Sequence, residues 1–485
     1  MSASATARRD GREEIAIGVF AALAVVVVLV LRVVAARGLP LTMDETFTAV
    51  ITSQSSLADF VREARRDVAA PLYYTLLWLI PHANSDLGLR IPSWLFMIAG
   101  SVLPLVWRVP GQSRAGTIAW SALLFLWLPG AIFATQARPY ALLFLVATGQ
   151  TIAFARLVDR PRLKRAFAWT GCASLTMLTH YMGTSLGLAQ GLVLLATFRT
   201  DALKLWPSLI LLLIPIVETI THLKVLLSVA SGDANWWPQV SFANLPAYVI
   251  YGFGAFALLA VMIALGSRHL RRDEPISRAA ALASLAGVLA LAILLVAGWG
   301  RSLIVDRYLT ACAPALMLAL VTVASGGAAR LALVGLSAAV ALYAAVAEPI
   351  EVREPSMEWA AEQLIPTRPQ SVKFSLGYKG QHTLAPETRA KLGEYFFHRA
   401  GLPTKADMVL TLDGRELVEA ASNDSAVLWI FYPAWQPVAN EIAAKRHCFV
   451  RPLQLACPAP TGARPSAPPA AAGANAHRRR PGPQA

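Results

Sequence analysis

Three features of the sequence predict a polytopic α-helical membrane protein of about eleven spans with a small C-terminal α/β domain. Hydrophobic residues fill 56% of the 485 positions and charged residues only 15%, whereas soluble domains carry roughly 25% charged residues. The apolar residues gather into long runs, many near the lower limit of about 17 residues for a helix that crosses hydrocarbon. Beyond residue 347 the runs give way to short alternating elements.

The apolar runs are 15–31, 91–106, 115–134, 139–155, 166–181, 183–198, 205–221, 245–265, 279–299, 308–325 and 331–347. Residues 1–14 are polar, and the first run lacks a small-residue cleavage pattern, so it is expected to stay as the first span behind a cytoplasmic N-terminus. If the runs alternate from there, the inner loops hold seventeen Lys and Arg residues, including Arg108, Arg160, Arg162, Lys164, Arg165, Arg271 and Arg330, against ten in the outer loops. This is the positive-inside pattern. With the Arg478-Arg479-Arg480 tail it accounts for the net charge of +14 without a nucleic-acid partner. Residues 71–80 are apolar too, but at 1.5 Å each they reach only about 15 Å, half the hydrocarbon thickness. Counting them as a span would invert every later loop. A short interfacial or re-entrant helix inside a large outer loop, 37–90, is expected instead, with Tyr73, Tyr74 and Trp78 at headgroup level.

An odd number of spans would place residues 348–457 outside the cell. Strands are expected at 372–376, 408–412 and 427–432, and helices at 357–364, 386–399 and 438–445. Residues 458–485 are rich in Pro, Ala, Gly and Arg and are assigned no structure. Four cysteines are too few for a disulfide framework. Cys172 and Cys312 sit in apolar runs as small hydrophobes. Cys448 and Cys457 flank a candidate hairpin and can pair in an extracytoplasmic setting.

Zinc-ligand spacing, a phosphate-binding glycine loop and a nucleophile elbow are all missing, which argues against nucleotide-dependent chemistry inside the cell. The unusual polar groups instead fall on the outer side. Asp44 and Glu45 emerge directly after the first span, where ionised side chains are costly unless they face a cavity or a partner, although Asp44 can equally cap the following helix. Cationic residues on the same side suit a lipid-phosphate donor, because a leaving phosphate needs positive charge and an acceptor hydroxyl needs a base. Plainer roles exist for several of these residues. Arg138 can snorkel to the headgroups, and His180 with Tyr181 can be interfacial packing. Glu218 and His222, one turn apart, can bind a metal or substrate or share a local hydrogen bond. Trp236 and Trp237 can stack on a sugar or belong to an aromatic belt. A polytopic transporter or lipid-linked sugar flippase is the alternative class, though the two-fold repeat common in transporters is not detectable. A membrane-anchored scaffold whose active part is the C-terminal domain is a third.

Several motifs in fixed order carry a more specific signal: Asp44-Glu45; Asp67-Val-Ala-Ala-Pro71-Leu-Tyr73-Tyr74; Leu89-Arg90-Ile-Pro92-Ser93; Gln136-Ala-Arg138-Pro139-Tyr140; His180-Tyr181; and Arg307-Tyr308-Leu309. Together, over roughly residues 15–330, they resemble the bacterial GT-C glycosyltransferases of the protein mannosyltransferase and aminoarabinose transferase type. The resemblance implies a GT-C fold in a bacterial cytoplasmic membrane. It implies an enzyme that takes a sugar from a polyprenyl phosphate at the outer leaflet and transfers it, usually with inversion, to a hydroxyl of a lipid, protein or cell-envelope glycan. Asp44 would be the general base or an orienting group, and Glu45 its neighbour in the same site. Arg138, Arg301, Arg307 and Lys224 would hold the donor phosphate in place of a metal ion. Asp67, Tyr73, Tyr74, Tyr140, His180 and Tyr181 would bind substrate. No cofactor is expected, and a divalent metal is left open. One departure stands out: family members often carry a His-Pro pair before or overlapping Pro-Leu-Tyr-Tyr, and this chain has Ala69-Ala70-Pro71. That difference bears on acceptor type more than on reaction class.

Overall fold

The computed structural model describes residues 3–36, 41–67, 69–80, 86–231, 241, 276–299, 306–324, 326–347, 357–376, 386–399, 401–402, 404–421, 425–431 and 433–459. Among these, seven helices are long and apolar enough to cross a membrane, and the chain is a multi-pass membrane protein. It forms two compact units, one mostly helical and one built on a sheet.

The helical unit begins with α1 (Ala3–Ala36), followed by three short helices, α2 (Met43–Thr52), α3 (Leu57–Ala64) and α4 (Leu72–Leu79). The bundle continues with α5 (Asp86–Val106), α6 (Arg114–Leu126), α7 (Leu128–Thr135), α8 (Tyr140–Asp159), α9 (Leu163–Thr179), α10 (Thr184–Phe198), α11 (Thr200–Leu203) and α12 (Leu213–Ser231). Last come α13 (Arg278–Ala297), α14 (Ala313–Val323) and α15 (Gly327–Ala347). Ten of the eleven predicted runs are therefore helical, and the run 245–265 lies outside the described residues, as do Trp236, Trp237 and Arg301.

α8 is the central helix, buried along nearly its whole length and packed between α5 and α9. Close approach depends on small residues, as is usual where van der Waals packing rather than water exclusion joins helices. A Cβ on Gly100 of α5 would lie 2.9 Å from the Phe144 ring and 3.0 Å from Leu145 Cα of α8. One on Gly287 of α13 would lie 2.5 Å from Ala315 Cβ of α14. The first of these contacts holds α8, whose first residue is Tyr140, against α5.

Three predicted features need correction. The run 115–134 is two helices, α6 and α7, broken at Trp127 (φ −56°, ψ 120°). Pro129 explains the break, since it has no N–H for the carbonyl of Phe125 four residues back. Arg32, at the end of the first apolar run and one of the ten basic residues counted to the outer loops, is buried against α6 and donates from Nη1 to that same Phe125 carbonyl at 3.1 Å. α4 is helical and too short to span, as expected. Its aromatics, however, face inward rather than the headgroups: Tyr73 and Tyr74 are fully buried, and Trp78 donates to the Gln54 carbonyl at 2.8 Å.

The basic loops expected on one side do meet at one end of the bundle. Arg156 donates to Arg108 O, Arg330 to Ser113 Oγ, and Ser277 to Pro110 O. The acidic and tyrosine-bearing loops meet at the other end, as described below.

The second unit contains α16 (Met357–Leu364), α18 (Gly414–Glu419) and α19 (Gln436–Arg446), together with most of α17 (Pro386–Arg399). Its five strands are β1 (Ser371–Ser375), β2 (Lys405–Met408), β3 (Ser425–Ile430), β4 (Phe449–Arg451) and β5 (Gln454–Cys457), in the order β2-β1-β3-β5-β4. β1 pairs in parallel with β2 and β3, and β5 runs antiparallel to β3 and β4. β2 lies earlier than the predicted 408–412. It is an edge strand whose polar residues take part in pairing, with Lys373 meeting Asp407 at 2.9 Å across the register, so its apolar content is a poor guide. Cys448 and Cys457, nine residues apart, form a disulfide that closes the β4–β5 hairpin. Reducing it is expected to add two hydrogens to the intact mass and to lower stability by about 2–3 kcal/mol, the chain-entropy value for so short a loop. Mass spectrometry and thermal melts with and without reductant check both.

Candidate active site

The site is built on the first turn of α2. Thr42 is its N-cap, so the capping role that sequence allowed to Asp44 belongs to Thr42. Thr42 Oγ1 accepts the Glu45 N–H at 3.3 Å, and Glu45 Oε2 accepts the Thr42 N–H at 2.8 Å, a reciprocal capping box. That arrangement directs Glu45 into the protein and leaves Asp44 facing outward.

Glu45 is wholly buried and saturated. Arg90 grips it from Nε to Oε1 at 2.7 Å and from Nη2 to Oε2 at 2.6 Å, and the Ala137 N–H donates to Oε1 at 2.8 Å. Glu45 therefore ties α2 to α5 and to the 136–139 loop, and it has no oxygen available for a reactant. Arg90 was visible in sequence only as part of a motif, and its partnership with Glu45 was not foreseen.

Asp44 differs in kind, with a side chain 25% exposed against none for Glu45. Its Oδ2 accepts Arg307 Nη1 at 2.7 Å, while Oδ1 has no hydrogen-bond partner among the described residues. Burial alone would raise the Asp44 carboxyl, but the charges of Arg307 and Arg138 outweigh it and hold the group below the ordinary carboxylate range.

Arg138 occupies the adjoining position. Its Nη1 is shared by the Asp44 carbonyl at 3.2 Å, Asp67 Oδ2 at 3.2 Å and the Tyr74 hydroxyl at 3.0 Å. Asp67 in turn accepts Tyr74 OH at 2.8 Å and the Ala69 N–H at 2.9 Å. Arg138 is thus a fixed, buried cation rather than a snorkelling one. Tyr73 reaches Ser93 Oγ at 3.1 Å and serves the packing of α4 on α5.

Aromatic rings complete the site. The Arg307 guanidinium lies 5.8 Å from the Tyr140 ring centre, and His180 sits 5.7 Å from Tyr140 and 5.0 Å from Tyr308. The structure therefore gathers Asp44, Glu45, Asp67, Tyr74, Arg138, Tyr140, His180 and Arg307 into one continuous network, with Tyr308 as an addition. Three expected members stand apart, the first being Tyr73, which bonds Ser93. Tyr181 donates to His222 Nδ1 at 2.7 Å, and His222 Nε2 bonds the Arg65 carbonyl at 2.8 Å, so His222 ties α12 to the turn after α3 and its ring is not bonded to Glu218. Lys224 is exposed on α12 and makes no ion pair with Asp44 or Asp67. Among the described residues, no group of three His, Cys, Asp or Glu side chains is placed to hold a metal ion.

Fold and site together define a multi-pass membrane protein of GT-C architecture, with a carboxylate, two arginines and a tyrosine-lined wall at one end of its bundle. The fold is that of ArnT from Cupriavidus metallidurans. The apo crystal structure of ArnT aligns with a TM-score of 0.54 at 15% identity, covering 90% of this chain and 97% of ArnT. The structure of ArnT bound to undecaprenyl phosphate aligns with a TM-score of 0.50 at 14% identity over the same shares. No family model matches the chain and no curated protein matches it in sequence.

Proposed function

We propose that the protein is a glycosyltransferase that moves a sugar from a polyprenyl phosphate to a hydroxyl acceptor at the outer face of a bacterial cytoplasmic membrane. The observation that carries this reading is Asp44, partly exposed, ionised and anchored through one oxygen while the other is unbonded among the described residues, with Arg307 and Arg138 beside it. The positive-inside pattern of the loops supports an outer-side position for the Asp44 end of the bundle. Undecaprenyl phosphate bound to ArnT, which has the same fold, supports a donor of that class here.

The chemistry follows from the geometry. The acceptor hydroxyl hydrogen-bonds to Asp44 Oδ1, which takes its proton as the oxygen attacks the anomeric carbon from the face opposite the phosphate, giving inversion. The bond from the anomeric carbon to the phosphate oxygen breaks, and the charge that develops on the leaving polyprenyl phosphate is met by Arg307 and Arg138. A monophosphate leaving group makes two fixed guanidiniums sufficient. Glu45 and Arg90 hold α2 and the 136–139 loop in register and take no part in proton transfer.

The experiment is release of undecaprenyl phosphate from undecaprenyl-phosphate sugars by the purified protein in nanodiscs, together with loss of a cell-envelope glycan when the protein is removed. No release with any neutral, acidic or amino sugar donor would sink the reading. The Asp44–Arg307 pair also sets a pH dependence. Its stabilisation is present above the unfolded Asp value near 3.9 and is lost as pH falls through the lower folded value. The acid limb of the transfer profile is therefore expected below about pH 4. Arg307→Gln is expected to move that limb upward and to slow transfer by roughly 100- to 1,000-fold. A pH–rate series on both proteins checks the shift.

A further inference from the structure

Three threonines lie on α2, and one of them behaves differently from the other two. Thr46 Oγ1 donates to the Thr42 carbonyl at 3.1 Å and Thr52 Oγ1 to the Thr48 carbonyl at 2.9 Å. Both follow a common habit of helical threonine, a bond back to the carbonyl four residues earlier. Thr48 is fully buried, and its Oγ1 is sealed from solvent without a hydrogen-bond partner among the described residues. Four residues before Thr48 stands Asp44, on nearly the same face of the helix. The Asp44 carbonyl accepts the Thr48 N–H within the helix and Arg138 Nη1 at 3.2 Å, one donor for each lone pair. Arg138 thus occupies the place that the Thr48 hydroxyl would otherwise take.

Arg138 is overcommitted at the same point. Its Nη1 carries two hydrogens but meets three acceptors, the Asp44 carbonyl, Asp67 Oδ2 and the Tyr74 hydroxyl, at 3.2, 3.2 and 3.0 Å. Asp67 and Tyr74 suffice to hold the guanidinium. The Asp44 carbonyl has a replacement donor on its own helix, because rotation about χ1 alone brings a helical threonine Oγ1 to the carbonyl four residues back. An unpaired buried hydroxyl costs free energy, and exchange at this carbonyl would recover it.

Resting on the transferase reading, we propose that Thr48 is a positioning residue: when a polyprenyl phosphate binds, the Thr48 hydroxyl takes over the Asp44 carbonyl and releases an Arg138 N–H to a phosphate oxygen. No covalent bond changes in this step. One hydrogen bond to the carbonyl replaces another, the guanidinium stays on Asp67 and Tyr74, and α2 keeps Asp44 in place while Arg138 engages the phosphate.

The test uses Thr48→Val, which keeps the branched shape and removes the hydroxyl, in the full-length protein in nanodiscs. Two quantities are measured: thermal unfolding of the free protein and equilibrium binding of undecaprenyl phosphate without a sugar. In the free protein the substitution removes an unpaired buried hydroxyl, so Tm is expected to stay level or rise. Undecaprenyl phosphate is expected to bind up to about tenfold more weakly, the worth of one hydrogen bond. Thr48→Ser, which returns the hydroxyl, should restore most of that affinity. A residue that serves only the packing of α2 would not move stability and affinity in opposite directions. Unchanged affinity in Thr48→Val, a loss that Thr48→Ser fails to restore, or a falling Tm, as a resident water bonded to the hydroxyl would produce, each overturns the inference. If the unaltered protein does not bind undecaprenyl phosphate, the transferase reading fails and the inference falls with it; if it binds and Thr48→Val binds equally well, the reading stands and the inference alone is overturned.

Discussion

Replacing Asp44 with asparagine is expected to leave the protein folded, inserted and able to bind a polyprenyl-phosphate sugar, while transfer falls by at least about 100-fold. The substitution keeps the size and position of the side chain but removes the proton acceptor, and a positioned general base is worth roughly 100- to 10,000-fold. Arg307 then faces an amide oxygen in place of a carboxylate, a change at a partly exposed pair and not in the core. Thermal unfolding should therefore move little. The Thr42–Glu45 capping box is untouched, so α2 keeps its start. Single-turnover transfer with donor already bound separates the chemical step from binding. Undiminished turnover in Asp44→Asn would remove Asp44 from its assigned role.

The neighbouring acid is expected to behave in the opposite way. Glu45→Gln leaves Arg90 charged and buried against an amide, and breaking such a pair from one side costs about 3–5 kcal/mol. The variant should melt far lower or fail to accumulate in the membrane, and any loss of transfer should track the loss of folded protein. Replacing both partners with apolar residues, Glu45→Leu with Arg90→Met, is expected to recover part of the stability, because neither charge is then left alone. Thermal melts of the three variants in detergent check the ranking. A Glu45→Gln protein that melts normally and yet fails to transfer would return Glu45 to the chemistry.

The contrast between two adjacent carboxylates shows where sequence reasoning reaches its limit. Asp44 and Glu45 stand side by side after the first span and look equivalent. A helix turns about 100° per residue, so once Thr42 caps α2 the two must leave in different directions. Which direction meets Arg90 and which meets Arg307 depends on packing between segments 45 and 263 residues apart. The same limit explains Tyr181 and Lys224. Their loops fall on the expected side, but a loop confers only a side and not a contact, and His222 takes Tyr181 instead.

Much of the architecture was legible because the bilayer constrains sequence strongly. Length and apolarity mark a span, and Lys and Arg mark the loops of one face. The break at Trp127 was legible in principle through Pro129, yet the buried Arg32 that serves the Phe125 carbonyl was not, since a basic residue at the end of an apolar run reads equally as a loop. In the sheet unit, charged edge residues hid the start of β2, while β1, with Val372 and Phe374 in alternation, and the apolar β3 were plain.

By itself the sequence determined a multi-pass membrane chain with a small α/β unit, and it determined that the rare acids, arginines and tyrosines fall in loops of one parity, because solvation in a bilayer is set residue by residue. Only the tertiary structure decided that Asp44 keeps an oxygen unbonded among the described residues, that Glu45 is consumed by Arg90, and that His180 sits between Tyr140 and Tyr308. Those outcomes depend on distances of about 3 Å between residues far apart in the chain, the scale on which hydrogen bonds form and on which sequence pattern carries no information.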